Sequence, residues 1–341
     1  LCTTIENCEL FNMPKSTLPI FLCLAILIPL VFFFCLMTGS SDIPLSDVLR
    51  ALSGQDCPPE VKTVILGIRL PRSLAALVAG SAVSVCGLMM QTMFANPLAG
   101  PYVLGVNSGA SLGVALLVMG LPGGFSASIP YVSGGLVLAA WTGAAAVLLL
   151  VAWAGRRLRN IMALLVLGLM LGSAADAIVQ ILQYFSGAES LKTYVLWTMG
   201  SLSGVTPEGL GVMTVAVVLG LAMAFACAKP LNQMLAGEQY AVSMGMNIRR
   251  VKIQVYLATI LLCGTVTAFC GPIGFIGLAV PHITRFLLHR SDHRLLLPAT
   301  ALAGALILLC CDAVSSVFCL PLNALTSLLG IPVVVWIVFK K

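Results

Sequence analysis

Long apolar runs recur along the whole chain, separated by short segments that hold most of the charged residues and many of the prolines. Each run is close to the roughly 20 residues that an α-helix needs to cross the hydrocarbon core of a bilayer. The runs predict ten membrane-spanning helices, at residues 18–38, 64–90, 102–120, 130–153, 161–185, 207–228, 253–270, 273–287, 295–318 and 322–339. We therefore expect an all-α, polytopic membrane protein in which residues 1–341 form a single transmembrane domain.

Composition excludes an ordinary soluble protein. Of the 341 residues, 60% are hydrophobic and 9% are charged, whereas a soluble domain carries about 25% charged residues. Most of the 12 cysteines fall inside apolar runs, where cysteine behaves as a small hydrophobic residue, so we expect no disulfide framework. His282, His289 and His293 lie close together, but Asp292 is the one further ligand at suitable spacing. We expect these histidines in a loop at the membrane surface and no metal site.

The basic residues predict the orientation of the spans. If the N-terminus is cytoplasmic, four basic clusters all fall on the cytoplasmic side, as the positive-inside rule requires. These clusters are Arg156, Arg157 and Arg159; Lys229, Arg249, Arg250 and Lys252; Arg285, Arg290 and Arg294; and Lys340 and Lys341. Six acidic residues fall on the opposite side: Asp42, Asp47, Asp56, Glu60, Glu189 and Glu208. We therefore expect both ends of the chain in the cytoplasm.

Two glycine- and proline-rich breaks interrupt the apolar pattern, at residues 96–101 (NPLAGP) and 271–277 (GPIGFIG). Breaks at corresponding places in two halves of a transporter are typical of an inverted repeat, here of five plus five spans, with broken helices along a pathway. An equally weighted alternative is that these small residues let helices pack closely. The breaks alone do not separate the two interpretations.

The sequence offers little catalytic chemistry. It contains no phosphate-binding G-x-x-x-x-G-K-[ST], no H-E-x-x-H and no G-x-S-x-G following a strand-like run. We therefore predict that the chain is not an enzyme and does not hydrolyse ATP itself.

Asp176 and Asp312 are the acidic residues predicted at membrane depth. Each costs about 2.5–3.5 kcal/mol to insert, so each should face the bundle interior or water. An ion-coupled carrier would need such groups, but neither has an evident basic partner at similar depth. We predict that they line a cavity or the pathway, and keep the ion-coupled carrier as the alternative function.

The longest cytoplasmic stretch, residues 229–252, predicts two short helices. Pro230 and Asn232 favour one helix start, Gly237 followed by Glu238 favours another, and Gly245 favours an end. Apolar residues within the stretch, Met234, Leu235 and Met244, favour a docking surface for a soluble partner. The alternative is an amphipathic connector lying on the lipid.

Several segments, in order and spacing, resemble the iron-siderophore, haem and cobalamin ABC permeases. The resemblance extends from residue 69 to the C-terminus and rests on RLPR (69–72), NPLA (96–99), LGVNSGA (104–110), GE (237–238), GPIGFIGL (271–278), PHI (281–283), DHR (292–294) and LP (320–321). It implies a type II ABC importer permease fold in a bacterial inner membrane. The implied partners are a second copy of the chain, two ATP-binding cassette subunits, a periplasmic or lipid-anchored substrate-binding protein and membrane lipid, with no nucleic acid. ATP and Mg²⁺ would belong to the ATPase, leaving no cofactor in this chain.

The resemblance also implies roles for particular residues. Arg69 and Arg72 would dock the binding protein, and Asn96 and Leu98 would form a cytoplasmic gate. Ile161 and Met162 stand where the family has a second constriction of small hydroxyl residues. The segment that seats in the ATPase would include Leu235, Gly237, Glu238, Met244 and Gly245.

The chain departs from the family pattern near the predicted outer surface. Ser315 and Ser316 stand where some relatives have a further docking arginine, and Cys319 stands where an acid often precedes the leucine-proline pair. These changes predict a differently charged binding protein. The sequence leaves the chelate open among ferric siderophore, haem and cobalamin.

Overall fold

The computed structural model describes residues 17–39, 43–55, 57–120, 134–154 and 161–339. Within these ranges the chain forms helices and connecting segments and no strand. In chain order the helices are α1 (Leu18–Met37), α2 (Leu45–Ser53), α3 (Pro59–Met93), α4 (Val106–Met119), α5 (Gly134–Ala154), α6 (Ile161–Phe185), α7 (Ala188–Thr198), α8 (Pro207–Ala226), α9 (Ala228–Leu235), α10 (Glu238–Ser243), α11 (Ile248–Cys270), α12 (Ile276–Leu288), α13 (His293–Phe318) and α14 (Leu322–Phe339).

Ten of these helices correspond to the ten predicted spans. Seven are long and apolar enough to cross a membrane, and α4, α12 and α14 are shorter apolar helices. The largest corrections concern α3, which begins at Pro59 and not at residue 64, and α11, which begins at Ile248 and not at residue 253. With 35 residues, α3 is about 50 Å long and therefore extends beyond a hydrocarbon core of about 30 Å.

Two of the long helices contain a π-helical segment, Val64–Arg69 in α3 and Ile260–Gly264 in α11. A π segment changes the direction in which the following side chains point and is often found at functional sites. In α3 the segment ends at Arg69, one of the predicted docking residues. Because the π segment alters the residue spacing, α-helical periodicity does not predict which way the side chains near Arg69 point.

Helix α3 runs through the centre of the bundle and packs against α13, α12 and α8. Almost every residue from Ala75 to Met93 is buried, and small residues predominate in its first half. In a membrane, small residues let helix backbones approach closely, which supplies the van der Waals contact that holds helices together. The closest approaches occur at Gly87 against the Gly277 carbonyl and at Gly80 against the Gly304 carbonyl.

The two predicted breaks are real and lie at opposite ends of the bundle. The first follows α3, directly after Ala95 with φ of 46°, and the second follows α11 and contains Phe275 with φ of 61°. Because consecutive spans alternate in direction, breaks after the second span of each half fall on opposite sides, as an inverted repeat predicts. Close packing operates here as well, since Gly277 of the second break region lies directly against α3.

Gly87 provides a test of the α3–α12 contact. A methyl group at this position would overlap the Gly277 carbonyl, so Gly87→Ala should force the helices apart and destabilise the fold by about 1–3 kcal/mol or more. The control is Gly67→Ala, because a methyl group at Gly67 meets no atom within 4 Å. Thermal unfolding of the detergent-solubilised protein measures the difference, and equal stability of the two variants would contradict the packing described here.

Candidate functional site

Arg69 is buried and holds the end of α1. Its Nη1 donates hydrogen bonds to the carbonyl oxygens of Leu36 (2.9 Å) and Met37 (2.8 Å), and the residue is only 7% exposed. The last carbonyl groups of a helix lack partners within the helix, so a cation with several donors stabilises them. The Nη1 group of Arg69 is therefore engaged by α1 within this chain. Its predicted contact with a binding protein stays a prediction.

Arg72, three residues later, pairs with Asp312 on α13. The Nε atom of Arg72 lies 2.8 Å from Asp312 Oδ1, and Nη2 donates to Ser315 Oγ at 3.4 Å. The Asp312 side chain is 4% exposed and that of Arg72 is 19% exposed. The expectation that Asp312 lacks a basic partner is thus wrong, because its partner lies 240 residues away in sequence, on a helix that only the fold brings alongside.

A cleft of about 410 Å³ opens beside Arg72. It lies between α3 at Arg72, the segment that follows α7 and the turn between α13 and α14. Its polar lining includes Arg72, Ser201, Ser203, Ser315, Ser316 and Cys319. The three positions at which the chain departs from the family pattern therefore share one cleft with Arg72. We call this end of the bundle the Arg72 end.

Asp176 lies on an exposed face of α6. Its Oδ2 accepts a hydrogen bond of 3.2 Å from Ser108 on α4. Unlike Asp312, it keeps access to the exterior of this chain. Its predicted place along a pathway stays a prediction.

The predicted gate residues lie at the opposite end of α3, in the segment of residues 94–100, which we call the break segment. Its backbone is held by the N–H groups of Ala95 and Asn96, which donate to the carbonyls of Thr92 and Gln91, each at 3.1 Å. Leu98 N–H donates to Asn96 Oδ1 at 2.9 Å. The Leu98 side chain is 40% exposed, so it is free to project from this end of the bundle.

Ile161 and Met162, predicted at a second constriction, begin α6. Their side chains lie outside the described part of the structure. Their contribution to a constriction stays a prediction.

Two of the three clustered histidines belong to helices, so the prediction of a surface loop is wrong for them. His282 lies on α12 and its Nε2 donates to the Pro97 carbonyl of the break segment at 2.7 Å. His293, the first residue of α13, is fully buried. His289 ends α12 in the left-handed conformation.

Both ring nitrogens of His293 make hydrogen bonds, with partners that the sequence patterns did not predict. Its Nδ1 lies 2.7 Å from Asn232 Oδ1 on α9, and its Nε2 lies 2.8 Å from Thr92 Oγ1 on α3. The sequence signal was the fully polar pair Asp292-His293 at the start of an apolar span. These contacts also show that α9, the break segment and the start of α13 share one end of the bundle, which we call the Asn96 end.

Residues 229–252 form two short helices, as predicted, with corrected bounds. Helix α9 begins at Ala228 and not at Pro230 or Asn232, because it continues α8 almost directly, with Leu231 N–H donating to the Cys227 carbonyl at 2.9 Å. Asn232 is therefore inside the helix, and its side chain is available for contacts with α13. Gly237 (φ 106°) and Gly245 (φ 84°) flank α10 with backbone conformations that favour glycine.

Glu238 has a partner within the chain. Its Oε1 lies 2.8 Å from Lys252 Nζ on α11, and both side chains are partly exposed. The acid at the start of α10 therefore ties that short helix to a membrane-spanning helix.

Four large apolar residues are about half exposed on and around α10: Leu235, Tyr240, Val242 and Met244. By contrast, Leu231, Met234 and Ala241 are buried. The segment thus turns one apolar set toward the bundle and presents another outward. We call the exposed set the docking face, since contiguous exposed apolar residues are typical of interaction sites.

Comparison with known proteins gives consistent matches over most of the chain. Residues 26–340 match the profile of the FecCD transport family. The chain is 34% identical to the hemin transport system permease protein of Yersinia pestis, over 92% of this chain and 94% of that protein. It is 37% identical to the vitamin B12 import system permease protein of Vibrio cholerae, over 80% of this chain and 82% of that protein. Among solved structures, it matches an inward-facing ABC transporter assigned to the metal-chelate type, with a TM-score of 0.82 and 28% identity, over 95% of this chain and 99% of that one.

The Arg72–Asp312 pair predicts a specific stability pattern. Arg72→Ala leaves a buried carboxylate without its partner and should destabilise the protein by about 3 kcal/mol, at the low end for buried pairs because Arg72 is partly exposed. The double variant Arg72→Ala/Asp312→Ala should recover most of that loss. Arg50→Ala is the control, since Arg50 pairs with Asp47 at 3.6 Å on the surface and should change stability by about 0.5 kcal/mol or less. Chemical unfolding in detergent distinguishes these outcomes, and a loss at Arg72 no larger than at Arg50 would count against the pair.

Proposed function

The chain belongs to the FecCD transport family, and we propose that it is the membrane-spanning subunit of an ATP-driven, binding-protein-dependent importer for a metal chelate. The observation that carries this proposal is the match to permeases of hemin and vitamin B12 import over most of the chain. Both named substrates are metal ions held in a large macrocycle. Haem and cobalamin are therefore the leading candidates, with a ferric siderophore as the third. The chain is a transport subunit and not an enzyme, so hydrolysis of ATP belongs to a partner.

The docking face is the surface that we assign to the ATPase. This assignment is supported by the four half-exposed apolar residues of the docking face, which lie on a segment that otherwise packs onto the bundle. Arg249 and Arg250 are exposed beside it, and basic residues favour the cytoplasmic side. We therefore place the Asn96 end, and both ends of the chain, in the cytoplasm.

We assign the Arg72 end to the substrate-binding protein. Arg72 and the serine-lined cleft beside it offer a partly exposed guanidinium next to several hydroxyl groups. An acidic side chain of the partner would find a charge-assisted hydrogen bond there. Because Asp312 already neutralises much of the Arg72 charge, docking at this site would depend on hydrogen bonding more than on net attraction.

The open face of α6 is the surface that we assign to a second copy of the chain and to the pathway between the copies. Val166, Met170, Ile178 and Ile181 are exposed there, which alone would suit either lipid or a partner. Asp176 is exposed as well, and a carboxylate facing lipid near the bilayer centre would cost about 2.5–3.5 kcal/mol. A face that meets a water-filled path avoids that cost. Asn96 and Leu98 would narrow this path at its cytoplasmic end.

Reconstitution tests the proposed function. The chain is assembled in proteoliposomes with the ATPase subunit and binding protein encoded in the same genome, and uptake of haem, cobalamin and a ferric siderophore is measured. We expect uptake of one chelate that requires both Mg-ATP and the binding protein. Uptake by the chain alone, driven by an ion gradient without ATP, would establish the ion-coupled carrier in its place.

A charge exchange tests how Glu238 acts. Glu238→Lys places two cations together and should loosen α10, lowering substrate-stimulated ATP hydrolysis about fivefold, as expected for about 1 kcal/mol from a partly exposed pair. The exchange Glu238→Lys/Lys252→Glu should restore it. The control is Glu189→Lys, which also changes an acid in the first turn of a short helix but at the Arg72 end. If the exchanged pair is as defective as the single variant, Glu238 acts through a direct contact with the ATPase and not through Lys252.

A further inference from the structure

We infer that Asn232, His293 and Thr92 form a hydrogen-bonded relay that transmits movement of α9 to the break segment. The inference rests on the proposed function, in which the docking face, at the end of α9 and on α10, contacts the ATPase. It identifies which side chains join that movement to the end of α3. Each of the three residues lies on a different helix, α9, α13 and α3 respectively.

The first link is fixed in direction by the chemistry of its partners. The Nδ2 group of Asn232 lies 2.6 Å from Asp292 Oδ1, and because a carboxylate accepts hydrogen bonds, the amide nitrogen must face it. Partial burial raises the pKa of the Asp292 carboxyl, but hydrogen bonds from Arg294 N–H and from Asn232, together with the nearby positive charge of Arg294, lower it by more, so the pKa lies below its usual value. Asp292 therefore stays an acceptor and fixes the orientation of Asn232.

The second link follows from the first. With its nitrogen toward Asp292, Asn232 turns Oδ1 toward α13, where it accepts from the His293 backbone N–H (2.8 Å) and from His293 Nδ1 (2.7 Å). The neutral imidazole then carries its proton on Nδ1 and accepts at Nε2. The Thr92 hydroxyl has one proton and two acceptors within reach, His293 Nε2 at 2.8 Å and the Leu88 carbonyl at 3.1 Å. Because Nε2 has no other donor among the described residues and is the nearer acceptor, we assign the proton to the contact with His293. Every polar atom of the buried ring is thus engaged.

The third link reaches the break segment through the backbone of Thr92. The Thr92 carbonyl accepts from Ala95 N–H at 3.1 Å, and Ala95 has a positive φ of 46°, which is unfavourable for a residue other than glycine. A hydrogen bond to a strained turn makes the geometry of that turn sensitive to the position of Thr92. Gln91, the preceding residue, holds Asn96 in the same way and accepts from Arg285 on α12 at 2.7 Å.

Burial makes this chain of contacts stiff. Thr92 is 5% exposed and His293 is not exposed, so water does not compete for their hydrogen bond, and close packing resists gaps between the helices. A shift of α9 must therefore either move the ends of α13 and α3 together or break a buried hydrogen bond. Asn232 is the half-buried start of the relay, and the turn at Ala95 is the point where the relay reaches the break segment.

The test uses the assembled transporter in proteoliposomes and measures chelate imported per ATP hydrolysed, together with thermal unfolding. Thr92→Val removes the hydroxyl at nearly constant volume, and Thr92→Ser keeps it. Thr284→Val is the matched control, because Thr284 is also a buried threonine bonded to the carbonyl four residues earlier, on α12. Asn232→Ala interrupts the relay at its half-buried start and serves if Thr92→Val does not fold.

We expect Thr92→Val and Asn232→Ala each to lower import per ATP about tenfold while ATP hydrolysis continues, since each leaves a buried group unpaired. The double variant should lose no more than either single one, as expected for members of one unit. Thr92→Ser and Thr284→Val should stay within about twofold of the wild type.

Three results would overturn the inference. Import per ATP could be unchanged in Thr92→Val, it could fall equally in Thr284→Val, or the losses of Thr92→Val and Asn232→Ala could multiply in the double variant. Each of these leaves the proposed function intact, because the wild type still imports the chelate. If the wild type imports no chelate, the proposed function itself fails and the relay fails with it.

Discussion

The rest of the structure depends on the close packing of α3 against α12 and α13 through glycine residues. At Gly87 and Gly80 the helices approach until a backbone carbonyl fills the place of a side chain. Without a hydrophobic driving force between helices inside a bilayer, this depth of contact supplies the cohesion. It also fixes the axial position of α3, so Arg72 meets Asp312 at one end while Thr92 meets His293 at the other.

The packing of α3 also determines which polar side chains, among the described residues, come within hydrogen-bonding distance of one another. Several buried polar side chains lie at the Arg72 and Asn96 ends of the bundle, among them Asp312, Thr92 and His293. Arg69 completes the end of α1, and Asn232 bridges α9 and α13. Between the ends, Ser84 lies at the Gly304 contact with its hydroxyl unpartnered, which indicates that its small volume matters more than its hydrogen-bonding capacity.

Much of the fold could be predicted from the sequence, because span number depends on the length of apolar runs, which a sequence displays directly. Family membership, confirmed by the match over residues 26–340, rested on ordered short segments. Side-chain partners could not be predicted. The spacing of Arg69 and Arg72 predicts that both lie on the same face of a helix. In the structure, however, Arg69 contacts α1 and Arg72 contacts α13. Likewise, His293 follows a polar cap and seemed to belong to a loop, whereas α9, some 60 residues earlier in the chain, encloses it. Such contacts join distant segments and depend on how helices rotate about their axes.

Burial is distributed unevenly between two neighbouring helices, and this has an evolutionary consequence. In α3, 78% of the most apolar window is buried within the chain, whereas in α1 the share is 17%. Mutations in α1 are therefore filtered chiefly for hydropathy, since lipid accepts any apolar side chain of suitable length, and drift among leucine, isoleucine, phenylalanine and valine is nearly free. In α3, selection acts on side-chain volume, because the glycine and alanine positions leave no room for a larger side chain. Among distant relatives, we expect α1 to conserve its hydropathy but not its residue identities, and α3 to conserve both.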